Sequence, residues 1–460
     1  MPSRQDQLHS YQFTLQRVVA ALVMRETDPA HSPMRRLAGA ALASVLVAVV
    51  GLGAFALYGL FTGGGATWRD TAAVIVEKES GARFVYREQR LHPVRNYTSA
   101  LLIVGADRPT TVLVSRRSLD GVPRGVPLGI SDVPDSLPDT GRLITAPWTV
   151  CSSTVAPSGP GRPRSVLLVG PGADGSRPLG AYALLLRAPD GALHLLWQQR
   201  RHLVRDTDRV LAALAVTRAR AVPVAAALLN AVPAGADLKP LQVPGLGDRS
   251  VEVSGARVGD VLVVRNPGGG RQYAVVLRDG LAGITELQAA LLLARTGQRE
   301  PDQISLGRFA TLPQLDDLAP TGPGAPPEVP PRLAAGDAAT LCVRVGDDTG
   351  PVELLLGVDL PEPVVAPPPQ SRPTGQVADQ VLVGPGRGAV VESVATPGAT
   401  GGAISLVTDL GRRYVLADAA VAAMLGYGEV RPVRLPAGVV DLIPAGAPLD
   451  PEAARQAATP

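Results

Sequence analysis

From Leu37 to Phe61 the chain reads LAGAALASVLVAVVGLGAFALYGLF, 25 residues without a charge, and Arg35 and Arg36 directly precede it. As an α-helix rising 1.5 Å per residue this stretch would be about 37 Å long, enough to cross a hydrocarbon layer of about 30 Å with some tilt. Few soluble helices run so long without a charged residue, so a single membrane crossing is expected. The chain then divides into a short tail on one side and a large body on the other. Gly39, Ala43, Gly51 and Gly59 give the helix a small-residue face, which is expected to suit close helix packing.

Charge orients the crossing. The first 36 residues carry Arg4, Arg17, Arg25, Arg35 and Arg36, whereas the 20 residues after the segment carry only Arg69 and Lys78 among Asp70, Glu77 and Glu79. Excess arginine before the helix places the N-terminus in the cytoplasm and the C-terminal bulk outside. The leader is too long, and the apolar run exceeds the length, for a cleaved secretory signal, so the segment reads as a retained anchor. Trp68 is expected near the outer interface.

Within the tail, Leu8, Tyr11, Leu15, Val18 and Leu22 recur at spacings of three and four, one face of a helix. Ser3 and Asp6 stand where an N-cap and a first-turn acid belong. An apolar stripe with no core beside it must find a membrane surface or a partner, and a partner protein is the reading here because the opposite face is not strongly basic.

Beyond the anchor the chain compares with itself. Ser118–Leu128 (SLDGVPRGVPL), Leu228–Leu238 (LLNAVPAGADL) and Val439–Leu449 (VVDLIPAGAPL) align without gaps, and a degenerate copy ends near Leu312-Pro313. Before each copy lies a block that starts with strand-like alternation and shifts to helical spacing: from Arg83, Leu193, Arg271 and Arg412. Asp190-Gly191 and Asp279-Gly280 are hairpin turns. Each unit is a β-hairpin, a short helix and a Pro-Gly turn, too small to hold a large core alone. The shared support is expected from TAPWTVC (145–151), SVLLVG (165–170), LCVRV (341–345), VELLLG (352–357) and AVVESV (389–394), read as one discontinuous β domain. With 50 glycines, 44 prolines and 3% aromatics, short elements joined by many turns are the expected style.

The expected fold is α+β: one N-terminal transmembrane helix, then an elongated extracytoplasmic part with a central discontinuous β domain and four small repeats. The expected boundaries are a cytoplasmic tail (1–36), the anchor (37–61), repeat 1 (62–140), central β (141–180), repeat 2 (181–245), repeat 3 (246–318), central β with Pro-rich linkers (319–400), and repeat 4 with the C-terminal tail (401–460). Cys151 and Cys342 both follow the anchor, and on an oxidising side they are expected to pair. The link would close a loop of about 190 residues, worth somewhat over ~4 kcal/mol in the chain-entropy model.

These residues resemble the EccB family of the type VII (ESX) secretion machinery of actinobacteria. Arg4-Gln5-Asp6-Gln7 with Tyr11, Phe13 and Arg17 is similar to that family's opening, and Arg90–Asn96, Trp148–Cys151 and Tyr273–Leu277 are similar to its sequences. The resemblance covers essentially the whole chain. It implies a structural subunit of a secretion channel, assembled with an FtsK/SpoIIIE-like motor ATPase and other membrane subunits and dimerising through its outer domain.

Chemistry of its own is not expected. A phosphate-binding loop needs a lysine and a Ser or Thr beside its glycines; neither Gly170–Ser176 (GPGADGS) nor Gly384–Gly388 (GPGRG) has the lysine. No G-x-S-x-G occurs. His92, His194 and His202 sit inside repeat blocks and read as structural. Asp120, Asn230 and Asp441 recur at one repeat position and are expected to bond their own turn backbones. No catalytic, cofactor or metal residues are assigned, and a net charge of +3 does not suggest nucleic acid. A nucleotide hydrolase and an anchored cell-wall-binding module are the alternatives from other classes.

Overall fold

A computed structural model describes residues 3–24, 33–62, 67–69, 72–154, 162–335, 339–361 and 377–458. Arg25, the side chains of Arg35 and Arg36, the surroundings of Gly59, and most of the Pro-rich stretch expected to be a linker at 361–373 lie outside the described residues. The chain divides into two compact units, residues 1–70 with 114–120, and residues 71–113 with 121–460.

In the first unit, helix Arg4–Met24 starts on a reciprocal cap. The Asp6 carboxylate accepts from the Ser3 backbone N–H (3.1 Å) and hydroxyl (2.8 Å), and the Asp6 N–H donates back to Ser3 Oγ. Those bonds hold the Asp6 carboxyl below its ordinary range. A second helix, Pro33–Thr62, contains the apolar run. Ala38–Phe55 within it has a mean hydropathy of 2.2, long and apolar enough to cross a membrane. Its Ser44 hydroxyl turns back onto the Ala40 and Ala41 carbonyls at 2.9 Å, so no polar group is left bare on the helix surface there. Trp68 is 2% exposed, with the Arg69 guanidinium 5.2 Å from the ring centre.

The second unit is built on one mixed sheet whose strand order is Gln380–Val383, Arg164–Val169, Trp148–Ser153, Thr340–Asp347, Gly350–Leu356, Arg177–Pro178. Strands far apart in sequence thus lie side by side, which is the discontinuity the short β runs implied. One face carries Trp148, Val150, Leu167, Val343 and Leu354; the other carries Cys151, Val166, Leu168, Cys342 and Leu355. Burial on both faces is why these strands read as continuous apolar runs.

Four smaller sheets belong to the repeats. Their consecutive strands include Ala73–Glu77, Arg83–Arg87 and Arg90–Pro93 in repeat 1, and Leu184–Arg187, Leu193–Trp197 and Arg200–Leu203 in repeat 2. Repeat 3 uses Val261–Arg265, Arg271–Leu277 and Gly280–Ile284; repeat 4 uses Gly388–Val394, Ala403–Thr408 and Arg413–Val415. Each is followed by a helix: Tyr97–Val104, Thr207–Ala213, Glu286–Thr296 and Ala420–Met424. The longest, Glu286–Thr296, opens on a Thr285/Gln288 capping box and ends at Gly297 with φ +77°.

The repeat unit is therefore a strand longer than the expected hairpin. AVVESV also changes place: Gly388–Val394 lies in the sheet of repeat 4, not in the central sheet. The cause is two-sided burial. Ala389 and Val391 face the core on the central sheet, while Val390 faces the core of repeats 1 and 4. An uninterrupted apolar run does not say which neighbour it hydrogen-bonds.

The recurring Pro-Gly motif has one structural job, performed four times. The carbonyls of Pro123, Pro233, Pro313 and Pro444 accept from the N–H groups of Leu91, Arg201, Leu281 and Arg413, at 2.8–3.0 Å. Five residues after each proline, the N–H of Leu128, Leu238, Leu318 or Leu449 donates to Pro93, Leu203, Gly283 or Val415, closing the turn alongside the strand. The strand residue between those contacts is His92, His202 or Tyr414 where the turn has Gly125, Gly235 or Gly446. A β-carbon added to any of these glycines would stand 2.2–2.4 Å from the nearest ring atom, far inside van der Waals contact. In repeat 3 the pair is inverted: Ala282 on the strand faces Leu315 on the turn. The degenerate copy thus has the small residue on the strand and the large one on the turn, in the same register.

Candidate assembly surfaces

The tail-helix residues singled out by spacing remain uncovered. Leu8, Tyr11, Leu15, Val18 and Leu22 are each more than half exposed, Leu15 least at 51%. Their 3-4 spacing on helix Arg4–Met24 makes a continuous apolar stripe of a kind a soluble surface does not keep bare. On helix Pro33–Thr62, Gly39, Ala43 and Gly51 are exposed, and a β-carbon at Gly39 or Gly51 would meet nothing within 4 Å.

Cys151 and Cys342 form a disulfide, Cα atoms 4.0 Å apart, directly opposite each other on antiparallel central strands. Both are fully buried. The bond brackets residues 151–342, a span that contains repeats 2 and 3 entirely and excludes repeats 1 and 4.

The two glycine-rich loops are occupied by the chain's own acids. The Gly386 N–H donates to the Asp409 carboxylate at 2.7 Å. In the other loop, the Asp359 carboxylate packs where a Gly175 side chain would be, and the Asp359 N–H bonds Asp174 O at 3.1 Å. A carboxylate seated on the loop opposes a phosphate there. Among the described residues no group of three or more His, Cys, Asp or Glu is placed to hold a metal ion.

The histidines are parts of the motif. The rings of His92 and His202 lie over Gly125 and Gly235, with Nδ1 3.0 Å from Val126 O and 2.8 Å from Ala236 O. Burial holds the imidazoles of His194 and His202 below their usual range; Arg201 adds to the effect at His194, while at His202 the hydrogen bond to Ala236 opposes it and Arg200 adds a smaller part. Asp441 departs from expectation: its carboxylate accepts from Arg413 Nη2 at 3.0 Å, while Arg413 Nε caps Ile443 O at 3.1 Å. Sequence reasoning missed this arginine, whose equivalent Arg201 caps Val232 O in the same way. The signal was available as an Arg recurring at one position of two blocks.

The chain matches the family described as "Type VII secretion system ESX-1, transport TM domain B" over residues 1–459. It belongs to that family, the EccB proteins of type VII secretion systems. An EccB3 of Mycolicibacterium smegmatis, named an ESX-3 secretion system ATPase, is 30% identical over 96% of this chain and 88% of its own length. An EccB2 of Mycobacterium tuberculosis, named an ESX-2 secretion system ATPase, is 30% identical over 98% and 94%. Among solved structures, a chain of an intact ESX-5 inner membrane complex matches with a TM-score of 0.68 and 26% identity, covering 100% of this chain and 96% of that one. A chain of an EccB3 dimer from the ESX-3 core complex matches with a TM-score of 0.65 and 28% identity, over 84% and 100%.

Proposed function

We propose that this chain is a structural membrane subunit of a type VII secretion complex and carries no catalysis of its own. The observation that carries the reading is the end-to-end likeness to a chain of an ESX-5 inner membrane complex, apolar helix included. The N-terminal tail faces the cytoplasm, helix Pro33–Thr62 crosses the membrane, and the four repeats on their central sheet lie outside. The arginine bias and the buried disulfide support that orientation, since disulfides persist in oxidising compartments. The tail stripe docks on an FtsK/SpoIIIE-like motor ATPase or a neighbouring subunit, the small-residue face of the anchor packs against another helix, and the outer body associates with a second copy.

Changing Leu8, Leu15 and Leu22 together to Glu tests the docking role. The variant inserts and folds normally but recovers at least tenfold less of the motor subunit from solubilised membranes; undiminished recovery would overturn it. The names of the relatives favour a second reading, a nucleotide hydrolase. Asp409 and Asp359 on the glycine loops oppose it. Steady ATP turnover by the purified chain, lost in Arg387→Ala, would establish that reading instead.

A further inference from the structure

Residues 320–331 (PTGPGAPPEVPP) form a strap between repeat 3 and the second half of the central sheet. Prolines cannot donate, so the strap is fastened at few points. Its Gly324 carbonyl accepts from the Ala236 N–H at 2.8 Å, and its Glu328 carbonyl accepts from the Leu287 N–H at 2.9 Å. Between strap and repeat 2 lies a hollow of about 680 Å³, lined by Trp197, Arg200 and His202 on one side and by Pro320, Glu328 and Val329 on the other.

His202 lies in the wall of this hollow with no exposure of its own. Its Nδ1 faces Ala236 O at 2.8 Å, so the neutral ring carries its proton there and leaves Nε2 as a bare acceptor. Nε2 is buried without a partner. The same residue, Ala236, holds the strap: its carbonyl receives His202 and its N–H binds Gly324. A second buried imidazole, His194 on the adjacent strand Leu193–Trp197, leaves Nδ1 unpartnered. The charged groups facing the pair are Arg200 and Arg201 on the hairpin, Asp190 in the preceding turn, Asp237 in the motif turn and Glu328 on the strap.

We propose that the run His202, Ala236, Gly324 is an acid-operated latch, in which protonation at the sealed Nε2 of His202 releases the motif turn and lifts the strap off repeat 2. A proton at Nε2 creates a donor with no acceptor and a cation beside Arg200, and both are relieved only when the turn opens to water. The sign follows from burial. The closed form holds His202 below the ordinary imidazole value of about 6.5, so its advantage is complete above that pH and is lost progressively as pH falls below it. The equilibrium for opening rises up to tenfold per pH unit in that window. Repeat 4 is the built-in control: Tyr414 holds the same place over Gly446 and takes up no proton in this range.

Hydrogen exchange on the full chain in lipid nanodiscs tests the latch, comparing neutral with mildly acidic buffer after correction for intrinsic rates. Acid should speed exchange by up to about tenfold for each pH unit below 6.5 at Ala236 and Leu287, the two amides that fasten the strap, and leave the repeat 4 turn at 445–449 unchanged. His202→Tyr, which copies the repeat 4 solution, should abolish the acid response; should that variant lose protection at neutral pH, His202→Asn is read in the same way. A strap indifferent to acid in the native chain, or an acid response surviving the uncharged substitution, would overturn the proposal.

Discussion

Repeats 1 and 4 come from opposite ends of the second unit's sequence, yet they share a larger core than the adjacent repeats 2 and 3. Leu102 and Leu128 share one core with Leu406, Tyr414 and Leu449. Polar closures surround it: Ala458 N–H to Pro127 O at 2.9 Å, Tyr427 O–H to Pro138 O at 2.7 Å, and Arg412 Nη1 to the Asp132 carboxylate at 2.6 Å. Repeats 2 and 3 meet through Val210 and Leu211 against Leu287 and Leu291, beneath a proline strap that leaves a hollow. Elements adjacent in the chain receive proximity from their connection, and here the disulfide bracket adds to it. Elements some 300 residues apart receive none, and only specific contacts hold them.

That contrast can be broken at the bracket. Replacing Cys151 and Cys342 with Ser should cost about 5 kcal/mol by the chain-entropy estimate for a loop of this length. The loss should fall on repeats 2 and 3, whose amides exchange faster while those of repeats 1 and 4 keep most of their protection. Equal loss in both pairs would mean that the bond supports the central sheet rather than the span it encloses.

A smaller effect is expected at the ring-on-glycine contact. Gly235→Ala and Gly446→Ala each push a methyl into a buried ring and should cost about 1–3 kcal/mol, read from denaturant midpoints. Leu315→Ala, at the inverted position in repeat 3 where the leucine is partly exposed, should cost less than either. Least of all is Asp132→Asn, which removes the Arg412 ion pair. Asp132 is 64% exposed and Arg412 33%, so solvent screens the pair and under ~1 kcal/mol is expected, with melting nearly unchanged.

Much of this was legible in the residues. A charge-free run of 25 marks a helix long and apolar enough to cross a membrane, and the structure has that helix at Pro33–Thr62. The Pro-Gly motif was visible because one backbone geometry requires the same few residues each time. Less was legible where burial erases pattern. The first strand of each repeat, as in AVIVE at 73–77, is apolar on both faces and shows no alternation, so the unit looked like a hairpin. AVVESV went to the wrong sheet for the same reason. Asp441 reads as a local turn former in the sequence because its partner, Arg413, lies 28 residues away. The reason for the glycines lies in the rings of His92, His202 and Tyr414 packed against them, which no spacing encodes. Which repeats pair could not be read at all, since shared cores leave no mark on spacing.

The central claim is that the chain acts by holding a membrane assembly together. The most direct measurement is the mass and composition of the particle that the intact chain forms when extracted from its own membrane in mild detergent. The account predicts a particle several times the 47.5 kDa of one chain, containing a second copy and a motor ATPase subunit. A monodisperse single chain, extracted under conditions that keep the other membrane subunits assembled, would contradict it.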